Sequence, residues 1–444
     1  MAVSPFGSAL FDGSLDDARV SALFGDEATI SAMLRVEAAL ARAQASLDVI
    51  PVEAADHIAR TCEAWAPPAA SLAAAAARDG TPVPALVDGL REAVGKDWAD
   101  CVHRGATSQD IADTAQALIL RDVLDAIGER FSALAAALAA LADEHRHTVC
   151  VARTRSVQAV PTVFGLRAAN WLSGVARARK TLERVRADVL VLSLGGAAGT
   201  MAALGPRAFE TAQAMAAVLG LDCPPAPWHT GRDRLAALAA WSASLAASLG
   251  KMGADMLVMA QSEVGEICFE KAGCSSTMPN KSNPVLPEIL VALAGHAASL
   301  AASMHRAEVA ANERDGATWM LEWLVLPQAV CAAAAATARA LEAIRTLRVD
   351  PTRMHANLEA SNGCILAEAA TFALMRDMSR DQAAGLVKQA CAAASRGVHM
   401  VDALRALAPD AVVDWAALRE PINATGHAGA LIDAILSDAG TATI

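Results

Sequence analysis

Between Leu120 and Leu141 the large apolar residues fall at Leu120, Leu124, Ile127, Phe131, Leu134, Leu138 and Leu141, in alternating steps of four and three. That spacing puts one narrow apolar stripe along a helix, and such a stripe is buried only against another helix. The same stepping recurs at Trp171, Val175, Ala178, Leu182, Val185, Val189 and Leu192, and at Leu245, Leu249, Met252, Met256 and Met259. A fourth seam follows Leu286, Leu290, Leu293, Ala297, Leu300 and Met304. Helices of this length run to about 30–40 Å and pack at shallow crossing angles. The seams share a period but not residues, so they are not an internal repeat.

A further apolar segment, from about Trp319 to Leu347, contains Pro327, which predicts a kink or a helix end there. Before the seams lie shorter helical patterns such as Thr29–Leu47, separated by Ala66-Pro67-Pro68 and Thr81-Pro82-Val83-Pro84. After them, Arg348-Val349-Asp350-Pro351 reads as a break. The expected architecture is therefore all-α, in three helical domains: an N-terminal one over 1–109, a central bundle of long helices over 110–347, and a small C-terminal one over 348–444. So many long seams also predict a homo-oligomer.

Composition narrows the function. The chain is 54% hydrophobic with a mean hydropathy of +0.33, and much of that is alanine, the best helix former. Arg, His, Pro or Gly interrupts each apolar run, so no transmembrane span is expected. The formal charge of -11 disfavours nucleic acid and anionic membranes as partners, and an anionic substrate must find positive charge locally. The opening MAVSPFGSALFDG lacks a basic region followed by an apolar run, so no secretory signal is read. Nine cysteines without a CxxC pair read as reduced thiols rather than disulfides or a zinc site, which predicts a cytoplasmic protein. The chain has no tyrosine, so phenol is not among its acids and bases.

The strongest local oddity is Glu270-Lys-Ala-Gly-Cys-Ser-Ser-Thr-Met-Pro-Asn-Lys-Ser-Asn-Pro284, between two of the long helices. Asn283-Pro284 has the form of an N-cap and first helical position, and a helix N-terminus beside Lys281 is a place for a carboxylate. The plainer reading is a capped polar loop with a solvated lysine. A second constellation, His103-Arg104-Gly105-Ala106-Thr107-Ser108-Gln109-Asp110, gathers a cation, an imidazole and four polar side chains before the first seam. Its plainer reading has Thr107 or Ser108 as a helix cap and Asp110 as a complement to the helix dipole. A third, Gly195-Gly196-Ala197-Ala198-Gly199-Thr200, lacks the ending of a P-loop and follows a helix, which argues against nucleotide binding. Trp319 and Trp323, four apart, read as core or interface packing.

Together these segments resemble the fumarase/aspartase superfamily, whose members add or eliminate groups next to a carboxylate. Residues 275–283 fit its signature SSxMPxKxN, and His103 to Asp110 fits its second characteristic region. The likeness continues through GGAAGTMAALGP (195–206), NERDGATWMLEWLVLPQ (312–328) and GCILAEA (363–369), and is strongest to a branch that closes a carboxylated muconate to a lactone. The resemblance implies three helical domains in a homotetramer whose active sites are shared between subunits. It implies Ser275 as general base on a mobile loop, with Lys281 and Asn283 holding one substrate carboxylate. Thr107 and Ser108 would bind another carboxylate with His103 in the same pocket, and neither cofactor nor metal is implied.

The departures are informative. Cys274 stands where a second glycine is usual, and Asn280 and Ser282 replace the common His and Arg. Residues 153–161 align with a lyase segment in which a histidine often assigned as general acid is here Arg155, and a glutamine is Val157. Expelling an amine or hydroxide requires proton delivery. Opening a lactone expels a carboxylate, whose conjugate acid has a pKa of about 4, and needs none. Arg155 thus favours lactone chemistry and becomes a candidate for binding a third carboxylate. The rival expectations are a fumarate-releasing lyase of the same superfamily, with His103 as acid, and a non-catalytic helical scaffold. An intact Ser275, Lys281 and Asn283 set speaks against the scaffold.

Overall fold

A computed structural model describes residues 4–270, 273–274, 278 and 281–440. Among them the chain forms seventeen α-helices, five of them long: Ser108–Glu144, Phe164–Val189, Asp233–Met259, Val285–Ala307 and Gly316–Thr346. The seam residues of the first four are buried or half-buried throughout, with Leu120, Leu124, Ile127, Phe131, Leu134 and Leu138 fully so. The period of the apolar residues and the packing agree because only one face of each helix can leave water.

The helix Gly316–Thr346 runs through Pro327 instead of ending there. Its neighbours Val325, Leu326, Ala329 and Val330 are all buried, and that burial outweighs one lost hydrogen bond. Three helices, Asp233–Met259, Val285–Ala307 and Gly316–Thr346, are by length and hydropathy apolar enough to cross a membrane, against the expectation from sequence. The interrupting residues are too few to lower the average of these windows. The first and third windows are 61% and 67% buried within the chain and are core helices, whereas that of Val285–Ala307 is only 33% buried.

The chain folds into two compact units, each assembled from three stretches: 1–131, 178–247 and 292–339 in the first, and 132–177, 248–291 and 340–444 in the second. In the first unit Phe131 meets Trp241 edge-on at 6.1 Å, and the Trp241 indole donates to the carbonyl of Ala178 at 3.1 Å. In the second, Gly253 lets two helices touch, since a Cβ there would lie 2.7 Å from the Pro287 carbonyl oxygen. The second unit also carries a cluster of Leu358, Leu366, Leu374, Val387, Met400 and Leu404 under its C-terminal helices.

Three two-stranded antiparallel ladders, absent from the sequence reading, complete the second unit. Val149–Thr154 pairs with Val157–Val163 across a two-residue turn in which Arg155 and Ser156 both have positive φ, 50° and 68°. Ile267–Phe269 pairs with Leu347–Val349, and Gly273–Cys274 with Ser282–Asn283. The break at 348–351 is as expected: Asp350 caps the next helix by accepting from the Arg353 N–H at 2.9 Å, and Pro351 takes its first turn.

Candidate active site

The His103–Asp110 constellation lies in the first unit and is held from several sides. Thr107 donates its N–H to Asp110 Oδ2 at 2.9 Å, and its hydroxyl accepts from Arg314 Nη1 at 2.7 Å. The helix starts at Ser108. His103 and Ser108 are half-buried, and His103 sits at φ 59°, a left-handed backbone that a non-glycine residue adopts only under constraint.

Asp110 is fully buried and does more than complement the helix dipole. Its carboxylate accepts from the backbone N–H groups of Gly195 at 2.7 Å and Gly196 at 2.9 Å, and from His229 Nε2 at 2.7 Å. The glycine-rich segment therefore cradles a carboxylate of the protein itself. A Cβ at Gly195 would come within 2.9 Å of the His229 ring, so glycine is what lets this approach happen. Thr114 adds a second clasp, exchanging hydrogen bonds with Ser193 N–H and C=O at 3.0 and 2.9 Å. Behind it Arg232, 4% exposed, pairs with both Asp113 at 2.7 Å and Glu322 at 2.6 Å, and Trp319 donates to Asp113 at 3.0 Å. Burial pushes the Glu322 carboxyl up even beside Arg232, as expected where two carboxylates share one cation. Trp319 packs against Trp323 at 4.5 Å and has this structural role.

His103 Nδ1 lies 2.6 Å from Glu37 Oε1. Burial alone would pull the imidazole down. The hydrogen bond and charge of Glu37, helped by Asp110, outweigh that burial and the opposing charge of Arg91, so the ring protonates above its ordinary value. An imidazole whose protonated form is favoured, in the same segment as the Thr107 and Ser108 hydroxyls, suits the holding of carboxylates.

Lys281 and Asn283 fall in the second unit, where both line a cavity of about 970 Å³ together with Gln261, Ser262, Glu263 and Asp350. Here the N-terminus of the following helix differs from the sequence reading. That helix begins at Val285, the Pro284 carbonyl accepts from Glu288 N–H at 3.3 Å, and Asn283 is in the short ladder opposite Gly273. Asn283 is thus one residue outside the cap position, because ladder pairing holds it extended. Ser275, the expected base, lies outside the described residues. Arg155 is exposed at its hairpin turn and does not line this cavity or its neighbour of about 470 Å³, walled by Arg153, Ser156, Arg167 and Lys251. Arg153 forks onto the buried Glu266 at 2.6 and 2.9 Å.

Within one chain the structure thus gathers His103, Thr107 and Ser108 in one unit, and Lys281 and Asn283 in the other. Sequence reasoning missed Glu37, Arg314 and His229. Arg314 stood inside a stretch that carried the family likeness, but nothing local marked it as a partner of Thr107.

Residues 13–298 match a family model described as lyase. A protein of Bradyrhizobium diazoefficiens named 3-carboxy-cis,cis-muconate cycloisomerase is 41% identical, covering 97% of this chain and 98% of its own. A nitrosuccinate lyase of Streptomyces davaonensis is 37% identical over 93% of this chain and 90% of its own. The crystal structure of the 3-carboxy-cis,cis-muconate lactonizing enzyme from Pseudomonas putida superposes with a TM-score of 0.92 at 34% identity, covering 98% of this chain and 99% of that one.

Proposed function

The chain belongs to the lyase family, and from that premise we propose that it is a 3-carboxy-cis,cis-muconate cycloisomerase, interconverting the muconate and 4-carboxymuconolactone in protocatechuate degradation. The observation that carries this is likeness to a cycloisomerase at 41% identity over 97% of the chain. In the forward direction one carboxylate oxygen of the muconate bonds to an alkene carbon. The electron pair moves toward the neighbouring carboxylate, and a proton is delivered to carbon; the reverse removes that proton and expels the carboxylate.

Ser275 is the proposed acid and base at carbon. Lys281 and Asn283 hold the carboxylate into which charge is delocalised, and Thr107, Ser108 and His103 anchor another. Arg155 is the proposed partner of the third carboxylate, reached from its hairpin turn. The expelled carboxylate leaves without help from an acid, which fits an arginine where lyases of amines and alcohols keep a histidine.

Homotetramer assembly belongs to this reading. The Val285–Ala307 helix has a mean hydropathy of 1.6 in a window only 33% buried, and copies of the chain are its proposed cover, each site being completed by neighbouring subunits. A cytoplasmic location fits such a metabolic enzyme. The likeness to nitrosuccinate lyase supports a second reading, elimination from a substituted succinate to release fumarate, since nitrite also leaves without protonation.

The test is an ultraviolet assay of the loss of the conjugated diene of 3-carboxymuconate, with fumarate release from nitrosuccinate, adenylosuccinate and argininosuccinate run in parallel. Diene loss should exceed every fumarate-releasing rate, and Ser275→Ala should lower it by about 10²-fold or more with secondary structure unchanged. Faster fumarate release from any of the three would overturn the cycloisomerase. A near-silent Ser275→Ala beside a damaging Ser276→Ala would move the base by one residue.

A further inference from the structure

We propose that Glu37 is a positioning residue that keeps His103 as an imidazolium, leaving the ring's second N–H as a fixed cationic anchor for a substrate carboxylate. The proposal rests on the preceding reading, in which His103 belongs to the substrate pocket, and adds a residue and a charge state to it. Four observations carry it.

The Glu37 side chain is 1% exposed and that of His103 15%, with Oε1 and Nδ1 2.6 Å apart. The second Glu37 oxygen is buried without a hydrogen-bond partner, so the imidazole is the group that compensates this carboxylate. A buried carboxylate so placed is costly unless its partner is charged. Seven residues along the same helix, on the same face, Gln44 Nε2 donates to the Arg104 carbonyl at 2.8 Å. One helix, Asp26–Ala45, therefore grips two consecutive residues of the site from below, and the grip supports the left-handed backbone of His103.

The charged groups around the ring are few. Glu37 faces it from that helix, Arg91 comes from the helix Val83–Val94, and Asp110 from the first turn of Ser108–Glu144. The carboxylates favour the protonated ring and Arg91 opposes it, so removing the Glu37 charge tips the balance toward neutral imidazole. In this arrangement the proton stays on His103 through the reaction. The histidine binds, and proton transfer at carbon belongs elsewhere.

The experiment uses the full-length protein with Glu37→Gln, which keeps shape and removes charge, and Glu37→Asp, which keeps charge. The His103 imidazole is titrated by NMR without substrate, and kcat and KM for 3-carboxymuconate are measured from pH 6 to 9. The wild-type ring should titrate above a free imidazole, the Gln variant clearly below wild type, and the Asp variant between them. At a pH between the His103 titration midpoints of the two proteins the Gln variant should show KM raised by about tenfold, with kcat within about threefold. Its rise in KM with pH should begin at lower pH than in wild type, and Asp should partly restore it. A wild-type His103 that titrates at or below the free value overturns the proposal, as does a ring unmoved by Glu37→Gln or a loss confined to kcat. Absence of lactonising activity in the wild type would sink the preceding reading and leave the substrate-free titration to decide this one.

Discussion

Asp110 shows how much of a site one residue can organise. Each carboxylate oxygen takes two donors: Gly195 N–H and His229 on one, Thr107 N–H and Gly196 N–H on the other. An asparagine there must turn its NH₂ toward one of these pairs whichever way it flips. Each abandoned buried donor costs about 1–3 kcal/mol, so Asp110→Asn should destabilise the protein by about 3 kcal/mol in chemical denaturation. A loss below about 1 kcal/mol would mean that the segments are held by other contacts. The sequence displayed the residue and concealed the role, because the donors lie 85, 86 and 119 positions away. The same holds for Glu37 and Arg314, which reach His103 and Thr107 over 66 and 207 residues. His103, Thr107, Ser108, Lys281 and Asn283 could be named as candidates because each lies in a contiguous motif; side chains that act from another helix leave no local pattern.

Elements were read in proportion to their periodicity. Heptad stepping located four long helices, whereas Val149–Val163 was passed over although Val149, Val151, Val157, Val160 and Val163 enrich it in β-branched residues. Caps fared less well. His399 caps Met400–Leu407 through Nδ1, which accepts from the Val401 N–H at 3.2 Å, a role seldom expected of histidine. Burial, then the charge of Arg419, lowers its pKa despite Asp402 and Glu359. A group that binds its proton less readily when folded contributes stability above its unfolded pKa, about 6.5, and loses it as pH falls through the lower folded value. Acidification should therefore destabilise the wild type more than His399→Asn, whose amide oxygen caps without titrating. Denaturation midpoints followed from pH 7.5 to 5 decide this: parallel curves for the two proteins would show that the cap does not titrate in that window. His103 has the opposite sign, its contribution being complete below about pH 6.5 and fading as pH rises through its raised folded pKa, so the two histidines separate experimentally.

At the scale of the whole molecule, the family was visible because its motifs keep their order along nearly the entire chain, while the proposed assembly has only an indirect support, the apolar surface of Val285–Ala307. Val285 and Val291 on that helix are 39% and 41% exposed. Light scattering at micromolar concentration should therefore give about four times the 45.7 kDa chain mass. A monomer would end the proposal, and partition into vesicles instead would assign that helix to a lipid surface. Mass alone does not test whether the active sites are shared. Complementation does, since the proposed carboxylate anchors His103, Thr107 and Ser108 belong to one folded unit, and the proposed anchors Lys281 and Asn283 to the other. Thr107→Val and Lys281→Met chains, each inactive alone, should regain a measurable fraction of lactonising activity after being unfolded together and refolded as a mixture. Some sites in mixed tetramers then receive an intact anchor set from each parent. If every site were built within a single chain, each would carry one lesion, and the refolded mixture would stay as inactive as its parents.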